Sequence, residues 1–410
     1  MNTFASVHIS NWRQFRNVNI DLSSQTTVLT GPNGCGKTTL LKILSQHFGW
    51  SLSFTATAFV SEKRRKKYYS DLKRREEEEL AEEIGLRVGE VRYSNDQICI
   101  LNIPGIESEA AKYNLQYQNQ GAVPGLFIPS HQPALIFEKI DSIPIDPKGS
   151  QQQYQEYQQF LLQTYGGTHV RNPGGILKTS LISMALFGYG NAAVLPNPEL
   201  RLLFEAFQRI LKILLPPSIG FQRLEVRNPD IVLVTESSDF PLDSMSGGVQ
   251  ALFSIAWQIH MYAANSDECT VVIDEPENHL HPSMQRTLLP NLSRAFPRVR
   301  FIAATHSPFI VTSDEQARVY ALLPDSAGRI DSQELTDANL AASPEEVLRD
   351  ILDVQSTLPV WVIERIAGVF AQHSNLPDGE EKATAIYDSL QRIGILDSVS
   401  SYTGDEGSIE

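Results

Sequence analysis

The chain has 410 residues, 42% of them hydrophobic and 20% charged, with a formal net charge of −14. That balance fits a globular protein with a substantial core, and an acidic surface does not by itself recruit nucleic acid, so a DNA contact needs a local basic patch or a partner. Cys35, Cys99 and Cys269 form no disulfide framework, no stretch reaches the roughly 18 apolar residues of a membrane span, and Met1–Phe15 lacks an apolar signal core; the expectation is a cytoplasmic chain without membrane contact.

Strands are predicted at Phe4–Ile9, at Val18–Leu22 after a turn around Asn11, and at Thr26–Leu29. The third runs into a glycine-rich loop and then Leu40, Leu41, Ile43 and Leu44, apolar at helical spacing. In that loop, Gly31-x-x-x-x-Gly36-Lys37-Thr38 fits the P-loop pattern in full. Glycines let backbone N–H groups approach phosphate oxygens without a Cβ in the way, and the following helix aims its positive end at them. The predicted nucleotide-binding set is therefore Gly31, Pro32, Asn33, Gly34, Cys35, Gly36, Lys37, Thr38 and Thr39. Lys37 would neutralise the β/γ charge of ATP, and the Thr38 hydroxyl would ligate Mg²⁺.

Ser61–Glu83 is densely charged, basic in its first half and acidic in its second. It reads either as a solvated helix or as an exposed arm whose basic half meets phosphates or an acidic partner. Leu86–Ile145 is β-like, with alternation at Glu90–Ile100 and an apolar run at Leu126–Pro129. Gln151–Gln163 reads as a polar helix or a loop, and Leu200–Leu215 as a helix stopped by Pro216-Pro217. Strands follow near Phe221–Val226 and Ile231–Thr235.

Ser244-Met245-Ser246-Gly247-Gly248-Val249-Gln250 precedes an apolar helix, Ala251–Ile259. Cys269–Ile273 is an apolar strand ending in Asp274-Glu275, at the end of a strand where open parallel sheets place ligands. With the P-loop, these acids complete one Mg-nucleotide site: Asp274 for the metal shell, Glu275 as the general base for the attacking water. Arg300–Thr305 is a further strand, ending in His306-Ser307-Pro308. After Pro324 the tail is predicted to be mostly helical, at Glu345–Asp353 and Val360–Phe370, with disorder from Ser398.

Met245-Ser246-Gly247-Gly248-Val249-Gln250 resembles the Leu-Ser-Gly-Gly-Gln signature of ABC ATPases, with Met for Leu and an inserted Val. The resemblance implies that Ser246, Gly247 and Gly248 bind the γ-phosphate held by another subunit, and that His306 is the switch histidine that senses it. Asp274-Glu275-Pro276-Glu277-Asn278-His279-Leu280-His281-Pro282 resembles the form found in ATPases of the OLD group. Ile9–Phe15 resembles the start of RecF-like and SMC-like ATPases. The likeness covers roughly residues 1–55 and 220–315. It implies that His279 and His281 pack a dimer seam rather than bind metal, and that Arg13 or Arg16 touches the adenosine. Gln132 is the candidate for the Q-loop. The expectation is a chain without the long coiled-coil arms of SMC-like proteins and with a tail after Ala317 too short for the Toprim nuclease of OLD proteins.

The implied fold is α/β: a P-loop ABC-type ATPase head with a mixed β-sheet, a helical insertion and a helical C-terminal tail. The expected divisions are an ATPase lobe at 1–60, a charged helical insertion at 61–89, a middle β and helical segment at 90–219, a second ATPase lobe at 220–325 and the tail at 326–410. Catalysis is expected from Lys37, Glu275 and His306, with ATP and Mg²⁺ as cofactors and Thr38 and Asp274 as metal ligands. The expected assembly is a homodimer or higher homo-oligomer through the ATP site. The leading reading is an ATPase controlling a separately encoded effector such as a nuclease, like the ATPase subunits of the anti-phage systems Septu and PARIS. The alternatives are a RecF-like repair ATPase on duplex DNA, a transporter's nucleotide-binding subunit and an ATP-gated scaffold. Nucleic-acid contact is left open.

Overall fold

In the computed structural model, residues 2–394 are described apart from 61–65, 70–85, 104–106, 109–110, 134, 136, 166–172, 229, 267, 355, 357 and 378. The chain opens on an antiparallel hairpin, β1 (Phe4–Trp12) and β2 (Phe15–Asp21), whose apolar residues are buried while polar ones between them face outward. The turn is tight enough to put Asn11 and Arg13 in the left-handed region, at φ 49° and 53°. β3 (Thr26–Thr30) is buried at every position and leads through the glycine-rich loop into α1 (Lys37–Ser45). Short strands β4 (Phe54–Thr55), β5 (Thr57–Val60) and β6 (Lys66–Tyr69) follow. Then come β7 (Leu86–Tyr93), β8 (Ile98–Ile103), β9 (Glu107–Ser108), β10 (Lys112–Tyr113), β11 (Gln116–Gln118) and β12 (Gly125–Ile128).

Three helices come next: α2 (Ser150–Tyr165), α3 (Pro173–Tyr189) and α4 (Pro198–Leu214). A small antiparallel sheet, β13 (Phe221–Arg227), β14 (Asp230–Thr235) and β15 (Asp239–Pro241), precedes α5 (Gly247–Ala263). The remaining elements are β16 (Cys269–Asp274), α6 (Pro282–Ala295), β17 (Val299–Ala304), α7 (Pro308–Val311), β18 (Arg318–Pro324), β19 (Ile330–Glu334), α8 (Asp337–Leu340), α9 (Pro344–Asp350), α10 (Val360–Gln372) and α11 (Glu380–Arg392).

The main sheet has 11 strands in the order β11-β8-β7-β1-β2-β19-β18-β3-β17-β16-β12. From β18 to β12 every pair is parallel; the wing from β11 to β2 is antiparallel, so this is a mixed sheet in an α/β fold. β3 and β16 are buried throughout because α1 packs against the parallel half and neighbouring strands flank both edges, which is why they read as continuous apolar runs. Register aligns their ends: Asp274 pairs with Ala304, and Ala304 with Leu29. The carboxyl ends of β16, β17 and β3 thus meet at one level. α5 is buried almost all round, with α2 and α4 against it; Trp257 lies 5.2 Å from Tyr157, and Phe253 lies 5.1 Å from Phe207.

Several expectations change. Gln151–Gln163 lies in a full helix, because Tyr154, Tyr157, Phe160 and Leu161 supply a buried stripe that the glutamines mask in the sequence. In the charged insertion expected to be helical, Lys66–Tyr69 is a strand paired with β5 and β9, and 86–89 already belong to β7; backbone pairing on both sides outweighs helix propensity there. The rest of that insertion, and the expected disorder from Ser398, lie outside the described residues. The tail is not wholly helical: β19 inserts between β18 and β2, where backbone pairing completes the sheet. Contacts divide the chain into two compact units, Met1–Val347 and Leu348–Glu410. In the second, α10 and α11 meet over Val362, Val369 and Leu390, flanked by Leu358, Ile366 and Ile386.

Candidate nucleotide-binding site

The loop between β3 and α1 is built on two glycines that no other residue could replace without displacement. Gly31 has φ 134°, and a Cβ there would come within 2.4 Å of the Leu322 carbonyl oxygen on β18. Gly36 has φ 104°, and a Cβ would strike the Phe15 ring at 2.4 Å. The β1–β2 hairpin thus presses directly on the loop. Asn33 and Gly34 stand exposed at its tip, while Cys35 is buried beneath it with its Sγ 3.5 Å from Lys37 Nζ.

Lys37 is the first residue of α1, and its side chain folds back under the loop. Nζ donates to the carbonyl oxygens of Gly31 (2.8 Å) and Pro32 (3.1 Å) and lies 3.3 Å from His306 Nδ1. Burial holds this amine below the usual lysine range, against the opposing pull of Cys35, Asp274 and Glu275. Thr38, one residue on, directs Oγ1 at both oxygens of Asp274, at 3.2 and 3.1 Å. Thr39 is half-buried in the same first turn. The helix N-terminus, the ammonium and the hydroxyl therefore converge on one spot, the arrangement a phosphate needs.

Asp274 ends β16 and is 5% exposed. Its carboxyl is pushed up to about 6, first by burial and then by Glu275 and Glu277, with Thr38 and Lys37 opposing. Glu275 sits in the left-handed region at φ 49°, tied by its own N–H to the Ala304 carbonyl at 2.8 Å. A non-glycine residue there carries backbone strain, of the kind that persists where surrounding structure fixes it. Asn278 Nδ2 donates to Glu275 Oε2 and to the Ser130 carbonyl, both at 3.0 Å. Glu277 Oε1 accepts from the Thr305 hydroxyl (2.7 Å) and the His306 N–H (2.8 Å), while its Oε2 is buried without a hydrogen-bond partner among the described residues, and burial raises its pKa. The motif containing Glu277 and Asn278 was visible in the sequence, but their roles as struts for the histidine and the second acid were not. Burial and the adjacent Lys37 lower the pKa of His306.

Thr38 and Asp274 offer hard oxygen donors facing one another, beside carboxylates that burial already makes avid for positive charge. That set fits Mg²⁺ in preference to a softer ion. Gln132 lines a small cleft with Asp274, Glu275 and Asn278, its Oε1 accepting from Gln258 Nε2 at 3.0 Å and its Nε2 donating to Pro129.

Ser246, Gly247 and Gly248 lie at the start of α5. Ser246 caps α5 without a side-chain capping bond, and both it and Gly247 are exposed. The nearest neighbour of Gly248 is the His279 carbonyl, 2.8 Å from where a Cβ would lie. His279 is itself left-handed at φ 68°, and His281 caps α6 by accepting from the Ser283 N–H. Arg13 lies 5.9 Å from the Trp12 ring and 6.0 Å from the Phe54 ring. Arg16 is bound by Asp325 at 2.8 Å and by Asp331.

A family model described as "AAA domain, putative AbiEii toxin, Type IV TA system" matches residues 155–312, and one described as "AAA domain" matches residues 6–67. The first span holds the signature-like turn, the acid pair and His306; the second holds the P-loop. The chain is 34% identical over 87 residues to the Septu protein PtuA of Bacillus mycoides (strain KBAB4), covering 20% of this chain and 12% of that protein. It is 27% identical over 114 residues to the Retron Ec83 probable ATPase of Escherichia coli, covering 25% and 21% respectively. The matched stretches are thus a small part of either relative's length. Among solved structures, the SMC head domain from Thermotoga maritima aligns with 81% of this chain and 99% of its own at 13% identity and a TM-score of 0.39.

Proposed function

We propose that the chain binds and hydrolyses ATP as an ABC-type ATPase, two copies clamping nucleotide between them. The observation that carries this reading is the convergence of Lys37, Thr38, Asp274, Glu275 and His306 at the aligned carboxyl ends of β3, β16 and β17. On this reading the amides of Gly31–Thr39 and the Lys37 ammonium hold the phosphates. Thr38 and Asp274 hold Mg²⁺, which when bound neutralises charge on the β- and γ-phosphates. Glu275, oriented by Asn278, takes the proton of the attacking water. His306, within reach of Lys37 Nζ, meets the γ-phosphate. Ser246, Gly247 and Gly248, at the positive end of α5 with the first two exposed, serve the nucleotide of the second copy.

The deciding variant is Glu275→Gln, which keeps the shape and removes the base. ATP affinity should stay within about threefold, while phosphate release falls by about a hundredfold or more. Near-normal release by a folded variant refutes the assignment. The likeness to PtuA and to a retron ATPase supports a further element of the proposal: that ATP occupancy controls a separately encoded effector, such as a nuclease in anti-phage defence. Co-expression with the product of the adjacent gene tests this. Nuclease activity that changes between the wild type and Glu275→Gln supports it, and an effector indifferent to both contradicts it.

A further inference from the structure

Lys178 lies in the middle of α3 with its side chain 0% exposed. A lysine taken that far from water needs its charge met on the spot. Nζ meets the carboxylates of Asp243 and, at 3.0 Å, Asp230, and donates to the main-chain oxygen of Glu138 at 3.3 Å. The Phe137 ring lies 5.1 Å away. None of these groups belongs to the phosphate loop or the acid pair, so the nucleotide site does not explain them.

The position of Asp243 does. It sits in the single 3-10 turn Leu242–Ser244, which follows β15 and hands the chain to Met245 and Ser246 at the start of α5. Asp230 opens β14, the strand on which β15 pairs. From the other side, Gln250 Nε2 donates to the carbonyl oxygens of Asp243 (3.4 Å) and Met245 (3.1 Å). The turn is otherwise thinly held: Leu242 and Met245 are buried, whereas Pro241, Ser244, Ser246 and Gly247 are exposed.

We propose that Lys178 is a positioning residue for the signature turn: by joining Asp243 to Asp230 it fixes the turn from which Ser246-Gly247-Gly248 project, and so sets the clamp offered to a second copy. This rests on the reading of Ser246–Gly248 as that clamp. The anchor must be stiff because, on that reading, the clamp serves a nucleotide bound by another chain. Its backbone N–H groups have to meet a γ-phosphate held elsewhere, and misplacement by about 1 Å is enough to lose most of such a contact. Without the ammonium, the largely buried carboxylate of Asp243 and the partly buried one of Asp230 face each other, and their repulsion drives the turn off β14.

Two variants of the full chain test it. Lys178→Met keeps the length of the stem and removes the charge. Asp243→Asn keeps the turn's shape and leaves Lys178 paired with Asp230. Turnover is read in each, and ATP-driven dimerisation in each combined with Glu275→Gln, well below the melting temperature and with circular dichroism confirming the fold. ATP affinity of the monomer should stay within about twofold, because the phosphate loop is untouched, while dimerisation and turnover fall about tenfold or more in Lys178→Met and about threefold in Asp243→Asn. A purely structural role would instead weaken ATP binding in step with stability. A folded Lys178→Met protein with wild-type dimerisation and turnover overturns the proposal. Where Lys178→Met does not fold, Asp243→Asn decides, and wild-type behaviour there overturns it equally. Ser246→Arg separates the two levels. If it too turns over normally, the signature reading has failed; if it is inactive while Lys178→Met is not, only the anchor has.

Discussion

At the scale of single residues, the site is arranged around an excess of buried negative charge. Asp274 has its carboxyl raised to about 6 because it is buried beside Glu275 and Glu277, with only Lys37 and the Thr38 hydroxyl in support. A raised carboxyl binds its proton more tightly folded than unfolded. Its ionisation therefore costs stability, nothing below about pH 4 and fully above about pH 6, and the gap between 3.8 and about 6 corresponds to on the order of 3 kcal/mol. In nucleotide-free, metal-free protein, Asp274→Asn should melt higher than wild type at pH 8, with the gain shrinking as pH falls through 6 and gone near 4. Melting curves that show no gain at pH 8, or the same gain at pH 4, contradict this origin. The sequence made Lys37, Thr38, Asp274 and Glu275 legible because phosphate and metal chemistry restricts residue type at fixed spacing. It could not reveal that Asn278 braces Glu275, which depends on how the loop after β16 turns, or that Glu277 carries the His306 backbone, a bond that exists only once β16 and β17 lie side by side.

At the scale of elements, the start of α5 packs closely on the loop after β16. A Cβ on Gly248 would lie 2.8 Å from the His279 carbonyl, and His279 is already left-handed and cannot yield cheaply. Gly248→Ala should therefore push these two elements apart at a cost of about 1–2 kcal/mol, despite the better helix propensity of alanine. The expected result is a modest drop in melting temperature, unchanged ATP affinity and turnover reduced about tenfold. Wild-type turnover would mean that the α5 terminus takes no part in the reaction. The strand-loop-helix around the P-loop and the buried runs β3 and β16 were readable, because apolar continuity and glycine spacing are local signals. α2 was half-hidden, its four buried aromatic and aliphatic side chains diluted by glutamines. α3 went unread because its apolar residues are spread round the helix, which is enclosed by α2, α4 and β14.

At the scale of the whole molecule, one mixed sheet brings the two ends of the Met1–Val347 unit together: β2, near the start, pairs with β19, more than 300 residues later. That closure was invisible in sequence, since β19 is short and polar and is specified by a neighbour's free edge rather than by its own pattern. The same sheet gathers the phosphate loop, the acids and the histidine, whereas Ser246 and Gly247 are exposed at the start of α5. On the proposed reading a second copy's Ser246–Gly248 completes each site, so that every working site draws on two chains. Mixing Lys37→Ala protein with Ser246→Arg protein tests it most directly. In the mixed dimer the Ser246→Arg chain supplies an intact Lys37 and the Lys37→Ala chain an intact Ser246, while the other site carries both lesions. Each variant alone should be inactive, and ATP turnover should appear on mixing. Normal turnover by Ser246→Arg alone, or no recovery from the two folded proteins together, would contradict it.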